Sequence, residues 1–365
     1  MASDVVGLAR DLVPVPSHED PAACGDRIEA WLREHVPAAS VERDGAGNVV
    51  ARAGRGETLA FVGHHDVVPP AEGHVADDGY RVAERDGRLY GRGTADMKGA
   101  LAAAMCAFRD AVGERDGTGQ VAFASFVGEE TGGEGARHAV DAGFVPDAAV
   151  VGEGSTGYSG PGVTDVAVAH KGRRASTLVA EGEAAHASEA DAGENAIYRA
   201  CDAVDVLRDL DVPTATVLGH EMQGSLAVTE LHGGDTWNVV PDRCTVTVDE
   251  RTVPGDRADL GAVEAVERVS WRVDQDWPPM QCADPAFAEF VTDAAAAAQD
   301  GDPAQVVKPH ATDAGWLAQA GSTCVVCGPA EPGEAHTDDE SVSVAVLERC
   351  YRIYRGAFER WDGAP

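Results

Sequence analysis

The chain of 365 residues is long enough for one large domain or two, and 44% of its residues are hydrophobic, as in an ordinary globular protein. It carries 62 acidic against 29 basic residues, and this net charge of −33 excludes nucleic acids and anionic membrane surfaces as partners, because both would repel it. The sequence lacks an apolar run of about 18 residues, and its opening stretch, MASDVVGLARDLVPVPSHED, has no basic start. These features predict a cytoplasmic protein without a membrane span or signal peptide.

The acidic residues are spread through amphipathic segments and do not form one acidic tail. Lysine is scarce, with only Lys98, Lys171 and Lys308 in the whole chain. Because molar salt screens charges over about 3 Å, such a surface is tolerable at high salt. The composition therefore predicts the cytoplasm of an extreme halophile.

Hydrophobic periodicity predicts the secondary structure in chain order. Apolar residues recur at helical spacing over 3–13, 24–35, 98–112, 194–209, 285–299 and 342–360. Strand-like runs are NVVARAG, TLAFVGHH, QVAFASFVGEE, AAVVGEG, VAVAHKGRRASTLVAEG, SLAVTELHGG, DRCTVTVDERTV and STCVVCGP. The first half alternates strands with helices, which predicts a mostly parallel central sheet flanked by helices.

The pattern changes in the middle of the chain. Residues 170–277 contain a strand, a helix, two successive strands and a charged segment, ADLGAVEAVERV at 258–269, which we interpret as a helix. Strand–helix alternation then resumes. We therefore predict an α/β domain formed by 1–169 and 278–365, interrupted by a smaller α+β domain over 170–277.

The motif GHHDVVPP at 63–70 begins where the apolar run TLAFVG ends. In a strand, residues i and i+2 share a face, so His64 and Asp66 would point together and His65 the other way. The site of an open α/β sheet forms at the carboxyl ends of its strands. His64 is therefore a candidate metal ligand and Asp66 the carboxylate that orients it, although a structural histidine explains this motif equally well.

Acidic residues and a second histidine occur in four further motifs. LYGRGTADMKGA places Asp96 at the start of a helix, where an ordinary N-cap is the alternative. SFVGEETGGEGA ends a strand with Glu129 and Glu130, which repel each other unless they are exposed or neutralised by a cation. It is chemically sensible for one of the two glutamates to bind a metal and for the other to act as a base. Glu153 in VVGEGS and His336 in GEAHTDDE complete the set.

Together these motifs supply two histidines and three carboxylates at or near strand ends: His64, Asp96, Glu130, Glu153 and His336. This donor set suits a pair of borderline cations such as Zn²⁺. Two such cations bridged by one carboxylate activate water and polarise a carbonyl group.

The motifs GHHDVVP, GRGTADMKGA, GEETGGEGA, VVGEGS and AHTDDE resemble, in order and spacing, those of the dinuclear zinc peptidase and deacylase family M20. That family contains acetylornithine deacetylase, succinyl-diaminopimelate desuccinylase, carboxypeptidase G and aminoacylase. The similarity extends from about residue 8 to 358. It implies a zinc-peptidase-like catalytic domain and a hydrolase that binds two Zn²⁺ per chain, which Co²⁺ or Mn²⁺ can replace.

The resemblance also implies a role for each site residue. His64 and Glu153 match the terminal ligands of one zinc, Glu130 and His336 those of the other, and Asp96 the bridge. Glu129 matches the general base and Asp66 the residue that orients the ligand histidine.

The inserted domain resembles the dimerisation domain of the family, which implies a homodimer. GEAAHASEADAGENAI at 182–197 is similar to the segment whose histidine reaches the partner's active site, and His186 occupies that place, where it would stabilise the oxyanion. A surface histidine without a role is the alternative. Asn238 and Arg251 match the residues that bind the substrate carboxylate.

The substrate class implied is a small N-acyl amino acid. KPHATDAGWLAQAG at 308–321 resembles the substrate-lining segment, but its Thr-Asp pair follows neither the desuccinylase nor the acetylornithine deacetylase pattern. A desuccinylase acting on succinyl-diaminopimelate is our first prediction, followed by an acetylornithine deacetylase and then by a carboxypeptidase or dipeptidase. A metal-stabilised binding protein without activity is the alternative from another class.

The eight cysteines are predicted to be buried thiols and not disulfides. Cys324 and Cys327 form a CxxC within an apolar strand-like run, and no second CxxC accompanies it. A metal or redox role for this pair stays open as the minor alternative.

Overall fold

The structure is a computed structural model that describes residues 2–114 and 118–363. It divides into two compact units. The first unit comprises Met1–Ala169, Met280–Lys308 and Thr312–Pro365, and the second comprises His170–Pro279 and Pro309–Ala311.

The helices and strands alternate along much of the chain. The helices are α1 Ala2–Leu12, α2 Ala22–His35, α3 Gly99–Glu114, α4 Glu134–Asp141, α5 Ala196–Arg208, α6 Pro285–Ala297, α7 Ala314–Ala320 and α8 Val344–Arg360. The strands are β1 Ser40–Arg43, β2 Val49–Ala53, β3 Thr58–His64, β4 Val75–Ala76, β5 Gly79–Tyr80, β6 Ala83–Arg85, β7 Arg88–Tyr90, β8 Gln120–Phe126, β9 Ala148–Val151, β10 Val166–His170, β11 Arg173–Glu181, β12 Ala185–His186, β13 Thr214–Val217, β14 His220–Gln223, β15 Ser225–Gly233, β16 Val239–Val240, β17 Arg243–Arg251, β18 Val269–Trp277, β19 Met280–Gln281, β20 Gln305–Lys308, β21 Thr323–Val326 and β22 Ser341–Ser343.

A nine-stranded sheet, counted over the described residues, forms the centre of the first unit. Its order is β1-β2-β8-β3-β9-β21-β10-β19, and β20 pairs with β10. The four middle strands β8, β3, β9 and β21 are parallel, whereas β1, β2 and β10 pair antiparallel with their neighbours. The predicted α/β fold with a mostly parallel central sheet is confirmed.

The middle strands are mostly apolar and are buried from their second residue onward, because helices cover both faces of the sheet. On one face, Val62 and Phe126 belong to a core that includes Ala139 of α4 and Leu317 of α7. On the other face, the ring of Phe61 lies 4.7 Å from that of Tyr354 on α8. Burial on both faces fixes the strands, so that their carboxyl ends form a rigid edge.

The second unit is built on an antiparallel sheet of order β15-β17-β11-β18. Along β11 and β17, buried and more exposed residues alternate, as expected for a sheet covered on one face. Helix α5 covers that face through Ala196, Ala200, Ala203 and Leu207, whose spacing places them on one side of the helix.

The six predicted helices are confirmed to within a few residues, whereas the short helices α4 and α7 were not predicted. The prediction of a charged helix over 258–269 is wrong. Only Leu260–Ala265 forms a short 3₁₀ turn, and β18 begins at Val269. Val269 is buried and Ser270 exposed. The start of that alternation lies within the segment interpreted as a helix.

All eight cysteines carry free thiols, and seven of them are buried. Cys324 and Cys327 are both fully buried in and just after β21, and burial raises the pKa of each thiol. A thiol in this environment is a poor nucleophile and a poor metal ligand. Among the described residues, no helix is both long and apolar enough to cross a membrane.

Candidate active site

Three neighbouring parallel strands carry the first candidate residues at their carboxyl ends. His64 is the last residue of β3. Glu129 and Glu130 follow the end of β8 at Phe126, and Glu153 follows the end of β9 at Val151. Because β8, β3 and β9 are adjacent and parallel, these side chains lie at one edge of the sheet.

The other two candidates come from loops that reach the same edge. Asp96 lies in the turn Thr94–Lys98 that precedes α3, and its own backbone, with φ −132° and ψ 95°, is not helical. His336 follows β21 in the loop before β22, and its φ of 63° is in the left-handed region. A non-glycine residue in this region is uncommon and is often found at functional sites.

The five predicted ligand side chains form one cluster organised around Asp96. His64 Nε2 lies 3.0 Å from Asp96 Oδ1 and 3.2 Å from Glu153 Oε1. His336 Nε2 lies 3.0 Å from Asp96 Oδ2 and 3.0 Å from Glu130 Oε1. The cluster is thus two groups of one histidine and two carboxylates, and Asp96 gives one oxygen to each group.

The charge of this cluster fits divalent cations. With neutral imidazoles, the three carboxylates carry three negative charges, and among the described residues only Glu153 has a lysine or arginine within 4.0 Å, which is Lys308. This excess of negative charge is costly in a largely buried site. Burial lowers the pKa of His64, but hydrogen bonds to the surrounding carboxylates outweigh it and leave that pKa well above its usual value. Hydrogen bonds to Asp96 and Glu130 raise the pKa of His336 to about 10. The cluster therefore attracts positive charge, and its N and O donors suit borderline divalent metals.

Asp66 contacts His64 through its backbone and its side chain. His64 Nδ1 donates to the backbone carbonyl of Asp66 at 3.0 Å, whereas the Asp66 carboxylate lies 3.5 Å away. That carboxylate also accepts the backbone N–H groups of Glu129 at 3.3 Å and Glu130 at 3.1 Å. Asp66 thus contacts both the histidine and the loop of the paired glutamates, because β3 ends before Asp66 and the strand alternation no longer applies.

His65 makes its contacts outside the cluster. Its Nδ1 lies 2.8 Å from Ser125 Oγ on β8, and its Nε2 has no hydrogen-bond partner among the described residues. Burial lowers the pKa of His65 to about 3, so it is neutral at physiological pH.

Glu129 lies beside one half of the cluster. One ligand atom from each of Glu129, His64 and Glu153 lies within 4.8 Å of the others. Burial raises the pKa of Glu129 well above its usual value, and the nearby carboxylates raise it further, while His64 opposes them. A carboxyl group tuned in this direction suits proton transfer.

Glu340 is a supporting residue that the sequence analysis missed. Its Oε1 accepts the backbone N–H groups of Ala95 at 3.0 Å and Asp96 at 3.2 Å. Its Oε2 pairs with Arg92 Nη1 at 2.5 Å, and both side chains are buried. Glu340 therefore fixes the turn that presents Asp96. Its position in AHTDDE, four residues after His336, was the only signal for it.

Two charged residues of the predicted substrate-lining segment lie near the cluster, although the sequence analysis assigned no role to either. Lys308, at the end of β20, is buried, with Nζ 3.7 Å from Glu153 Oε2. Asp313 has both carboxyl oxygens buried without a hydrogen-bond partner among the described residues. Burial raises the pKa of Asp313 to about 8, and the neighbouring Asp66 and Glu153 contribute to this shift. Both lie in the segment 308–321.

His186, Asn238 and Arg251 belong to the second unit. His186 Nδ1 lies 2.7 Å from Ser188 Oγ, and the carbonyl oxygen of Asn238 accepts the N–H of Ala187 at 2.9 Å. His186 and Asn238 are both exposed. The guanidinium of Arg251 pairs with Asp249, at 2.7 Å from Nε to Oδ1. The structure thus places His186 beside Asn238 and gives Arg251 a carboxylate partner within its own unit.

Comparison with known families identifies the chain. Residues 60–360 match the family described as peptidase family M20/M25/M40. The chain belongs to this M20 family. It is therefore a metal-dependent peptidase or amidohydrolase, as predicted from its five motifs.

Two named M20 relatives match most of the chain. Acetylornithine deacetylase of Vibrio parahaemolyticus is 30% identical over 88% of this chain and 87% of its own length. Succinyl-diaminopimelate desuccinylase of Rhodospirillum centenum is also 30% identical, over 99% of this chain and 98% of its own. The two relatives have different substrates at equal identity.

Solved structures share the M20 fold. Aminopeptidase PepT of Bacillus cereus superposes with a TM-score of 0.80 at 21% identity and covers 98% of both chains. The YXEP protein of Bacillus subtilis, described as a dinuclear metal binding peptidase from the M20 family, has a TM-score of 0.71 at 16% identity and covers 98% of this chain and 97% of that one. At these identities the similarity concerns the fold alone.

Proposed function

We propose that the chain hydrolyses the amide bond of a small N-acyl amino acid with the help of two divalent cations, most suitably Zn²⁺. The observation that carries this proposal is the shared carboxylate of Asp96, with one oxygen 3.0 Å from each histidine. His64, Asp96 and Glu153 would hold one cation, and His336, Asp96 and Glu130 the other. When bound, the two cations supply Lewis acidity for the substrate carbonyl and lower the pKa of water in the site.

The protein groups supply proton transfer and orientation. The Glu129 carboxylate accepts a proton from the attacking water and returns it to the leaving nitrogen. The Asp66 carboxylate accepts the backbone N–H of Glu129, and the Asp66 backbone carbonyl accepts a hydrogen bond from His64 Nδ1. Asp66 therefore positions both residues. His186, acting from the partner protomer, stabilises the developing oxyanion, and Asn238 and Arg251 bind the substrate carboxylate.

For the substrate we propose N-succinyl-diaminopimelate first and N-acetylornithine second, in amino-acid biosynthesis. Both relatives' names support an N-acyl amino acid. A panel of these two compounds, simple dipeptides and other N-acyl amino acids tests the proposal, with and without a chelator. Hydrolysis that the chelator abolishes is the expected result, and metal binding without hydrolysis of any amide would contradict it. The panel is run in molar KCl and after dilution, because we propose that the charge of −33 reflects a halophilic cytoplasm.

His64→Ala and His65→Ala are expected to have opposite effects on metal content. His64 contacts two cluster carboxylates, so His64→Ala removes one terminal ligand and about one of two metals per chain. His65 contacts Ser125 instead, so His65→Ala keeps both metals. Elemental analysis after gel filtration measures the difference. The reverse pattern would overturn the assignment of His64.

We also propose that the second unit forms a homodimer. Its surface exposes several apolar residues, and Trp237 is fully exposed. Strand β15 is an edge of the sheet and exposes Val228 and Leu231. Exposed apolar patches and open strand edges commonly mark interfaces between proteins.

Trp237→Asp is expected to weaken the dimer by about 30-fold or more, because a tryptophan at an interface commonly contributes about 2 kcal/mol. Sedimentation equilibrium measures the dissociation constant. Val145→Asp, which changes an exposed apolar residue of the first unit, is the matched control and should leave the dissociation constant unchanged. A monomeric wild-type protein, or equal effects of the two variants, would contradict the proposed interface.

A further inference from the structure

We propose that Lys308 selects the acyl group: its ammonium binds a carboxylate at the far end of the acyl chain, so the preferred substrates carry a short dicarboxylic acyl group such as succinyl. This inference rests on the proposed function and adds a specificity residue to it.

Lys308 is a buried cation with unused hydrogen-bonding capacity. Its side chain is only 6% exposed, and its Nζ lies 3.7 Å from Glu153 Oε2. Charge-assisted hydrogen bonds normally measure about 2.7–2.9 Å, so this contact is an ion pair without a hydrogen bond. Among the described residues, no other carboxylate lies within 4.0 Å of Nζ. In the described part of the chain, Nζ donates no hydrogen bond, and it is not one of the fully buried atoms without a partner, so it stays accessible to solvent.

Lys98 is a second buried lysine in the same unit, and its ammonium group has partners within the protein. Its ammonium donates to the carbonyl oxygen of Val15 at 2.6 Å and lies 5.2 Å from the ring centre of Tyr80. Burying an ammonium without such partners costs several kcal/mol. Lys308 has neither kind of partner: its stem is buried at the edge of the cluster while Nζ stays accessible, which is the arrangement expected for a group that binds an anionic ligand.

The neighbouring carboxylates, Glu153 and Asp313, do not supply Lys308 with a hydrogen-bonded anion. Glu153 already contacts His64 at 3.2 Å, and in the proposed function its charge is shared with a cation. Asp313 lies beyond 4.0 Å from Lys308, and both of its oxygens are themselves unpartnered. The anion that fits is therefore supplied by the substrate. The proposed function already assigns Asn238 and Arg251 to the α-carboxylate of the amino acid, and we assign Lys308 to the carboxylate of the acyl group, which the substrate comparison below tests.

The experiment compares N-succinyl, N-butyryl and N-acetyl derivatives of one amino acid, because butyryl has the chain length of succinyl without its carboxylate. Lys308→Met is expected to lower kcat/KM for the succinyl substrate about 10- to 100-fold, the range for losing a charged hydrogen bond, with little change for the other two. Lys308→Arg should restore part of the preference. Lys171→Met removes the same charge from the other unit and should change none of the three values.

A binding measurement separates this inference from the proposed function. Calorimetry on the metal-loaded protein compares succinate with butyrate, and we expect tighter binding of succinate in the wild type but not in Lys308→Met. Wild-type hydrolysis of all three substrates without a succinyl preference would overturn the role of Lys308 alone. An equal loss for all three in Lys308→Met, with lower metal content, would assign Lys308 to the support of Glu153 and overturn the proposal. No hydrolysis at all would refute the proposed function, and the calorimetry would still decide on Lys308.

Discussion

Glu129→Gln is expected to lower kcat by about 10²- to 10⁴-fold, the usual contribution of a positioned general base. The side-chain amide introduced by Glu129→Gln has the shape of the carboxylate, but it cannot accept a proton from water or return one to the leaving nitrogen of the substrate. The contact that positions Glu129 is its backbone N–H to Asp66, which the substitution leaves in place. Metal content should stay near two per chain, because Glu129 belongs to neither of the two groups organised around Asp96.

Glu134→Gln is the matched control for this prediction. Glu134 is an exposed carboxylate in the first turn of α4, close to Glu129 in sequence, and its replacement should leave kcat unchanged. Steady-state kinetics and elemental analysis on the same samples give both quantities. Near-normal turnover in Glu129→Gln, or a parallel loss of metal, would remove Glu129 from the role of base.

Asp96→Asn is expected to lower the content of both metals and to abolish detectable turnover. Asp96 gives Oδ1 to the group of His64 and Oδ2 to the group of His336, so a neutral amide weakens both. Glu130→Gln and Glu153→Gln each remove a carboxylate from only one group. They should therefore retain about one metal per chain, whereas Asp96→Asn retains less than one.

Metal content is measured after dialysis against metal-free buffer, and thermal unfolding establishes that each variant is folded. Asp77→Asn, an exposed aspartate of the first unit, is the matched control and should bind as much metal as the wild type. Equal metal content in Asp96→Asn and Glu153→Gln would mean that Asp96 is not shared between two cations.

Strand ends made much of this site predictable from the sequence. Apolar runs identified β3, β8 and β9, and the polar residues that follow them are His64, Glu129, Glu130 and Glu153. Parallel strands bring their carboxyl ends together whatever their separation in sequence. Asp96 and His336 lie in loops, and periodicity alone could not place them, so the family motifs were needed.

The supporting contacts could not be predicted because they depend on tertiary packing. Glu340 reaches the amides of Ala95 and Asp96 across more than 240 residues of sequence. The burial of Lys308 beside Glu153 follows from the meeting of two distant segments. Neither contact has a local pattern, and a charged residue is by default interpreted as exposed.

The wrong prediction of a helix over 258–269 has a local cause. Leu260 and Val263 are spaced as on one helix face and are buried, which favoured a helix. Gly261 between them is a weak helix former, and the segment ends after a 3₁₀ turn. The alternation from Val269 then belongs to β18, which pairs with β11 over its length.

The site is assembled from both sides of the second unit in the chain. Asp96 and Glu153 precede that unit, whereas His336 and Glu340 follow it. A chain still being synthesised on the ribosome therefore carries four of the five predicted ligands but lacks His336 until its C-terminal segment has emerged. Until Glu340 arrives, the turn bearing Asp96 also lacks the carboxylate that fixes it. The group of His64, Asp96 and Glu153 is thus encoded entirely before the second unit, whereas the group of His336 is completed only by the last part of the chain. If the proposed cation pair binds, its second member would enter last.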